Sequence, residues 1–301
     1  MTESTSSKSP TLADVLTAFH ELFPPALAES WDSVGLVVGR QNARVSRVGF
    51  AVDATVATAR EAADRGAGLL ITHHPLLLRG ASFLPDTDYK GEIVHTLIEA
   101  GCGLLGAHTN VDSAPHGTNH IFMEKLGITE TDILTGAQTT QIEGKDVCVG
   151  IGRVGQLPAP VSLKELAEKI AEFLPATAGG LRIAGRADQQ VQKIALCTGA
   201  GDSLFGEARA SGADVYITAD LRHHPASEAR EQALISGGTP ALIDCSHYAS
   251  EWLWMDGAAR LLTEKLAERG FGVETYVSTL NTDPWDFTVS TGQVEGSAST
   301  R

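Results

Sequence analysis

Residues 61–75 read EAADRGAGLLITHHP, and residues 207–225 read EARASGADVYITADLRHHP. Both run from a helix through a Gly-Ala turn into an apolar strand, then Ile-Thr, then a polar strand end followed by His-His-Pro. The next strands echo as well: GLLGAHTNVDSA (103–114) resembles ALIDCSHYASEW (241–252), each with a histidine just past an apolar strand. Repetition of one supersecondary unit implies two related lobes.

Working outward, short apolar runs alternate with amphipathic stretches of about ten residues, many closed by glycine. Helices are expected over 12–22, 55–65, 90–100, 118–126, 163–174, 203–211, 225–235 and 247–268. Strands are expected over 48–52, 68–72, 103–107, 147–154, 193–197, 215–218, 241–244 and 272–278. That alternation indicates βαβ units and an α/β fold of two related lobes with mostly parallel sheets. The expected boundaries are a disordered tail over 1–9, a first lobe over 10–128 and a connecting segment over 129–189. A second lobe over 190–286 and a disordered tail over 287–301 complete the chain, with the site expected in the cleft between lobes.

Composition narrows the function. The formal charge is −14 over 301 residues. An acidic surface repels phosphates and anionic lipid, so neither nucleic acid nor a membrane is an expected partner. No apolar run approaches a membrane span, and the polar N-terminus lacks a secretion signal, so a cytoplasmic location is expected. Four cysteines lie far apart with no CxxC pair, which suits reduced, mostly buried thiols.

Of ten histidines, eight fall just after expected strands, where ligands collect in open α/β sheets. His73 and His74 leave a strand as neighbours, so their side chains should diverge and serve two ions, one each. Pro75 pushes His74 towards an extended backbone. AHTNVD offers His108 and Asp112 on one loop. SHYASE puts His247 and Glu251 at i, i+4 on one helix face, with Ser246 placed to cap that helix. A carboxylate so placed can bridge two cations. Imidazole with carboxylate suits Zn, Mn, Fe or Ni and argues against a closed structural zinc. In ESWDSVGL, Trp31 reads as a packed aromatic beside a turn aspartate, Asp32, with contact to a neighbouring residue or ligand as the alternative, while Gly35 and Gly39 read as turn glycines.

ESWDSVGLVVG (29–39), ITHHPL (71–76), GAHTNVDSAPHGTN (106–119), ADLRHHPASEA (219–229), IDCSHYASE (243–251) and NTDPW (281–285), in that order, resemble the dinuclear-metal-centre proteins named GTP cyclohydrolase I type 2 homologues. These are also called NGG-interacting-factor-like proteins. The resemblance implies two divalent metal ions per subunit, held by His73, His74, Asp112, His247 and Glu251, with Glu251 bridging. It implies a homohexameric ring and a small-molecule substrate such as a nucleotide. Where the family often has Gly-Asp-(Leu/Ile)-x-Tyr-His, this chain has Ala219-Asp220-Leu221-Arg222-His223-His224, which aligns His224 with the family histidine. The resulting expectation is a metal-dependent hydrolase of a nucleotide or phosphoester, with His108 or His224 moving the proton. The alternative is a non-catalytic metal-binding scaffold.

Overall fold

A computed structural model describes residues 8–289. The expected tails therefore fall largely outside the described residues, although Lys8 forms a β-bridge with Phe271. In chain order the elements are α1 (Leu12–Leu22), β1 (Gly35–Val38), β2 (Arg47–Ala51), α2 (Val56–Asp64), β3 (Leu69–Thr72), α3 (Tyr89–Glu99) and β4 (Gly103–Gly106). There follow α4 (Thr109–Ser113), α5 (Thr118–Lys125), β5 (Thr131–Ile142), β6 (Lys145–Ser162), α6 (Leu163–Phe173), β7 (Arg182–Ala184) and β8 (Gln190–Ala200). The chain closes with α7 (Phe205–Ala210), β9 (Val215–Ala219), α8 (His223–Ile235), β10 (Ala241–Cys245), α9 (His247–Trp252), α10 (Trp254–Glu268) and β11 (Glu274–Val277).

Two compact units emerge. Among the described residues the first comprises 8–117, 139–147 and 254–282, and the second 118–138, 148–253 and 283–289. The first holds a sheet ordered β1-β4-β3-β2-β11. Its β4, β3, β2 and β11 run parallel, and only β1 is antiparallel. Strand alternation divides its core in two. Ala51, Leu70 and Leu104 meet Ala59, Ala62, Ile93 and Leu97 of α2 and α3. Phe50 turns instead to Trp254 of α10, which also meets Phe23 edge-on at 5.5 Å. α1 starts at a capping box, in which Thr11 Oγ1 accepts from the Asp14 N–H and Asp14 accepts from the Thr11 N–H.

The second unit holds a sheet ordered β5-β6-β8-β9-β10-β7. Only β8, β9 and β10 are parallel, while β6 and β7 join them antiparallel. Ile194, Ile217 and Ile243 face α5 and α6, whereas Ala195, Tyr216 and Leu242 face α7 and α8.

The fold class is as expected, but the partition differs. The segment over 129–189 supplies β5, β6 and β7 to the second sheet and α6 to the core packed against it. β11, expected with the second lobe, pairs with β2 in the first. Such edge additions depend on long-range pairing, which local pattern does not encode. Residues 247–268 form two helices that break at Leu253. Gly35 opens a strand, β1, where a turn was expected.

Candidate metal centre

In each unit the chemistry gathers past the carboxyl ends of three adjacent parallel strands. In the first unit these are β2, β3 and β4. The backbone of His73 and His74 still donates to Ala51 and Val52 (3.1 and 2.9 Å), but the chain bends there, with Thr72 Oγ1 donating to the His74 carbonyl at 2.9 Å. The expected divergence of the two rings is therefore lost. Their centroids lie 5.2 Å apart, and the ligand nitrogens of His73, His74 and His108 fall within 4.8 Å of one another.

Each of these rings is held from behind. His73, fully buried, places Nδ1 3.0 Å from the Ala107 carbonyl. His74 Nδ1 lies 2.7 Å from Asp53 Oδ1, and Asp53 Oδ2 accepts from Thr282 Oγ1. His108 Nδ1 lies 3.0 Å from Asp32 Oδ1. An acceptor at Nδ1 keeps the proton there and turns the Nε2 lone pair outward, the arrangement that orients metal-ligating histidines. Asp112, in α4, brings Oδ1 to 3.6 Å from His73 Nε2. That separation is too long for a hydrogen bond and suits two donors each about 2 Å from a common cation.

In the second unit the strands are β8, β9 and β10. Ser246 caps α9, its Oγ accepting from the Ala249 N–H and donating to Asp283. His247 is the first residue of that helix, with Nδ1 2.7 Å from Asp220 Oδ2 and Nε2 3.0 Å from Glu251 Oε1. Asp220 sits just past β9 with φ +54°, a left-handed backbone that aspartate tolerates better than most residues. Burial disfavours the charged imidazole, but the Glu251 and Asp220 carboxylates outweigh it and raise the His247 pKa to about 11. Beside them Gly199, near the end of β8, has φ +69°, and a Cβ there would stand 2.3 Å from Glu251 Oε1. The cradle around the carboxylate thus requires a residue without a side chain. Histidine and carboxylate donors of this kind fit a borderline divalent cation.

The remaining expectations fare unevenly. His224 is exposed in the first turn of α8 beside His223, and it belongs to no metal-capable group among the described residues. His108, expected to move the proton, shares a metal-capable group with His73 and His74. Trp31 is no packed aromatic: it is 60% exposed and meets His108 edge-on at 5.8 Å. Asp32 binds His108 and both the N–H and the hydroxyl of Thr109. Burial opposes its ionisation, but those bonds hold its carboxyl well below the usual range. Burial pushes the Cys245 thiol far upward, away from nucleophilic service. Asp32, Asp53 and Asp220 were the functional residues missed as partners of histidine. The available signal was an aspartate one or two residues past a strand, which marks Asp53 and Asp220.

The model of the Duf34/NIF3 (NGG1p interacting factor 3) family matches residues 10–284. The chain belongs to the Duf34/NIF3 family. The resemblance read from the motifs is thereby borne out. Among relatives, a "GTP cyclohydrolase 1 type 2 homolog" of Streptomyces coelicolor is 44% identical over 276 residues, covering 92% of this chain and 94% of the relative. The protein of that name in Mycobacterium bovis is 31% identical over 382 residues, covering 94% and 98%. That span exceeds this chain's 301 residues, so the mycobacterial relative carries additional sequence. Among solved structures, a Bacillus cereus protein related to NIF3 superposes with TM-score 0.83 at 24% identity, covering 94% and 100%, and so supports the fold. A Staphylococcus aureus hypothetical protein gives TM-score 0.81 at 27% identity, covering 93% and 100%. No helix among the described residues is long and apolar enough to cross a membrane.

Proposed function

We propose that this NIF3-family chain is a metal-dependent hydrolase of a nucleotide or phosphoester, working as a homohexamer. Two divalent ions would be held by His73, His74 and Asp112 of the first unit and by His247 and Glu251 of the second. The observation that carries this reading is the shared arrangement of four histidines. His73, His74, His108 and His247 each have Nδ1 on a carbonyl or carboxylate, which turns the Nε2 lone pair outward, for a cation at His73, His74 and His247 and for a proton at His108. Such ions supply Lewis acidity and lower the pKa of water when bound.

The chain's own groups do the rest. Asp53 and Asp220 fix the ring planes of His74 and His247. Asp32 stands behind His108 as an ionised carboxylate, so His108 is the residue given the proton, taken up and returned at Nε2. His224 is the second candidate for that task. The name GTP cyclohydrolase 1 type 2 homolog borne by the relatives supports a nucleotide as the substrate class.

The test is purified protein loaded with Zn, Mn, Fe or Ni in turn, assayed against nucleotides and simple phosphoesters, with light scattering for assembly. Turnover that Glu251→Gln abolishes supports the hydrolase. Absence of turnover with every metal at full occupancy refutes it and leaves a metal-binding scaffold.

A further inference from the structure

The most exposed aromatic beside the first-unit histidines is Trp31, and its setting is rigid. The Asp32 N–H donates to the Glu29 carbonyl at 3.0 Å, closing a turn around Ser30 and Trp31. That turn is tied to α4 from both sides. The Glu29 N–H donates to Thr109 Oγ1 at 2.9 Å, and Asp32 Oδ2 accepts from the Thr109 N–H at 3.0 Å and the Thr109 hydroxyl at 2.5 Å. Asp32 Oδ1 holds His108 Nδ1 at 3.0 Å. Five hydrogen bonds therefore fix the residues flanking an indole that is itself 60% exposed.

An indole needed only for stability would be buried, since burial is where its large apolar area contributes. Here it stands edge-on to the His108 ring, centroids 5.8 Å apart and planes 80° apart. The two rings do not stack in that arrangement, and with 60% of its surface exposed the indole keeps apolar area open to a planar ring. His108 in turn meets His73 and His74 edge-on at 5.2 and 5.5 Å. A planar group lying on Trp31 would thus be one imidazole away from the donor atoms.

We propose that Trp31 is the stacking platform for the heteroaromatic base of a nucleotide. This rests on the hydrolase reading only for the position of the phosphate. It narrows the substrate class, because a simple phosphoester has no ring to place there. Base–aromatic stacking depends little on base identity, so the platform selects a nucleotide over a sugar phosphate and tolerates any of the common bases.

The experiment uses the full chain loaded with Mn²⁺ and isothermal titration with GMP, CMP and ribose 5-phosphate. GMP and CMP are expected to bind more tightly than ribose 5-phosphate. Trp31→Ala should weaken GMP binding about tenfold or more, the scale of one stacked base. It should leave ribose 5-phosphate unchanged, and Trp31→Phe should restore most of the loss. The idea is overturned if GMP does not bind wild-type protein. It is equally overturned if Trp31→Ala weakens both ligands alike, or if that variant alters the assembly in light scattering while GMP binding is kept. Phosphate release, followed in parallel, separates this from the hydrolase reading. Equal release from GMP and ribose 5-phosphate in wild type and Trp31→Ala keeps the hydrolase and sinks the platform. Trp31-dependent GMP binding without release keeps the platform and removes cleavage of the phosphate ester from the hydrolase reading.

Discussion

Replacing Gly199 by alanine tests whether Glu251 is a ligand. The new Cβ would lie 2.3 Å from Glu251 Oε1 and 3.1 Å from His247 Nε2. The backbone cannot yield easily, because the Gly199 N–H donates to Ser250 Oγ at 3.1 Å and its carbonyl accepts from Thr218 Oγ1 at 3.0 Å. The carboxylate must therefore retreat by roughly 1 Å to regain ordinary van der Waals contact. Metal–ligand distances tolerate only about 0.2 Å, so a shift of that size removes the ligand. A loss of about 10- to 100-fold in affinity at that site is expected, as for other disturbances of ligand orientation. A left-handed alanine adds about 1–2 kcal/mol of strain, so the metal-free protein should melt a few degrees lower. The assay is competition with a chromophoric chelator for Zn²⁺, with melting of the metal-free form as control. Unchanged affinity and stoichiometry in a protein that melts lower would show that Glu251 holds no metal, and the ligand assignment of the second unit would fall.

Three more outcomes follow from the carboxylates behind the histidines. Asp220→Asn weakens the acceptor on His247 Nδ1, so metal affinity should fall by about 10- to 100-fold with little change in the far-ultraviolet dichroism spectrum. In metal-free protein the His247 pKa is raised to about 11 from 6.5. A raised pKa stabilises the fold below about pH 6.5 and progressively less as pH climbs to 11. The urea midpoint of wild type minus that of His247→Gln should shrink across that window, while apparent metal affinity grows as the imidazole loses its proton. Asp32→Ala removes the acceptor of three bonds and should cost about 2–4 kcal/mol by urea unfolding at pH 7. Because that carboxyl titrates below its usual range, the penalty should be present above about pH 4 and fade as pH falls further.

What the sequence disclosed, and what it withheld, follows from distance along the chain. His247 and Glu251 are four residues apart on α9, and helical spacing alone brings them together. The His-His-Pro run announced itself at β3 because an apolar strand ended on it, yet the same three letters at 223–225 lie in the first turn of α8. Identical letters took different roles because β9 had already ended at Ala219 and Asp220 had turned the chain. The partners of the histidines lay 21, 27 and 76 residues away, and no periodicity reaches so far. They become legible once the order of strands is known. Ala51 pairs with Thr72 in the parallel β2–β3 ladder, so continuing the register two residues sets Asp53 beside His74, which is where the hydrogen bond is. Cys245 pairs with Ala219 in β10–β9, and the same continuation brings Ser246 opposite Asp220, with His247 the next residue. One rule, an aspartate past one parallel strand supporting a histidine past its neighbour, therefore recurs in both units. Supports arranged alike in two separately packed sheets are what selection for oriented imidazoles would produce. Packing alone asks for no carboxylate at either place.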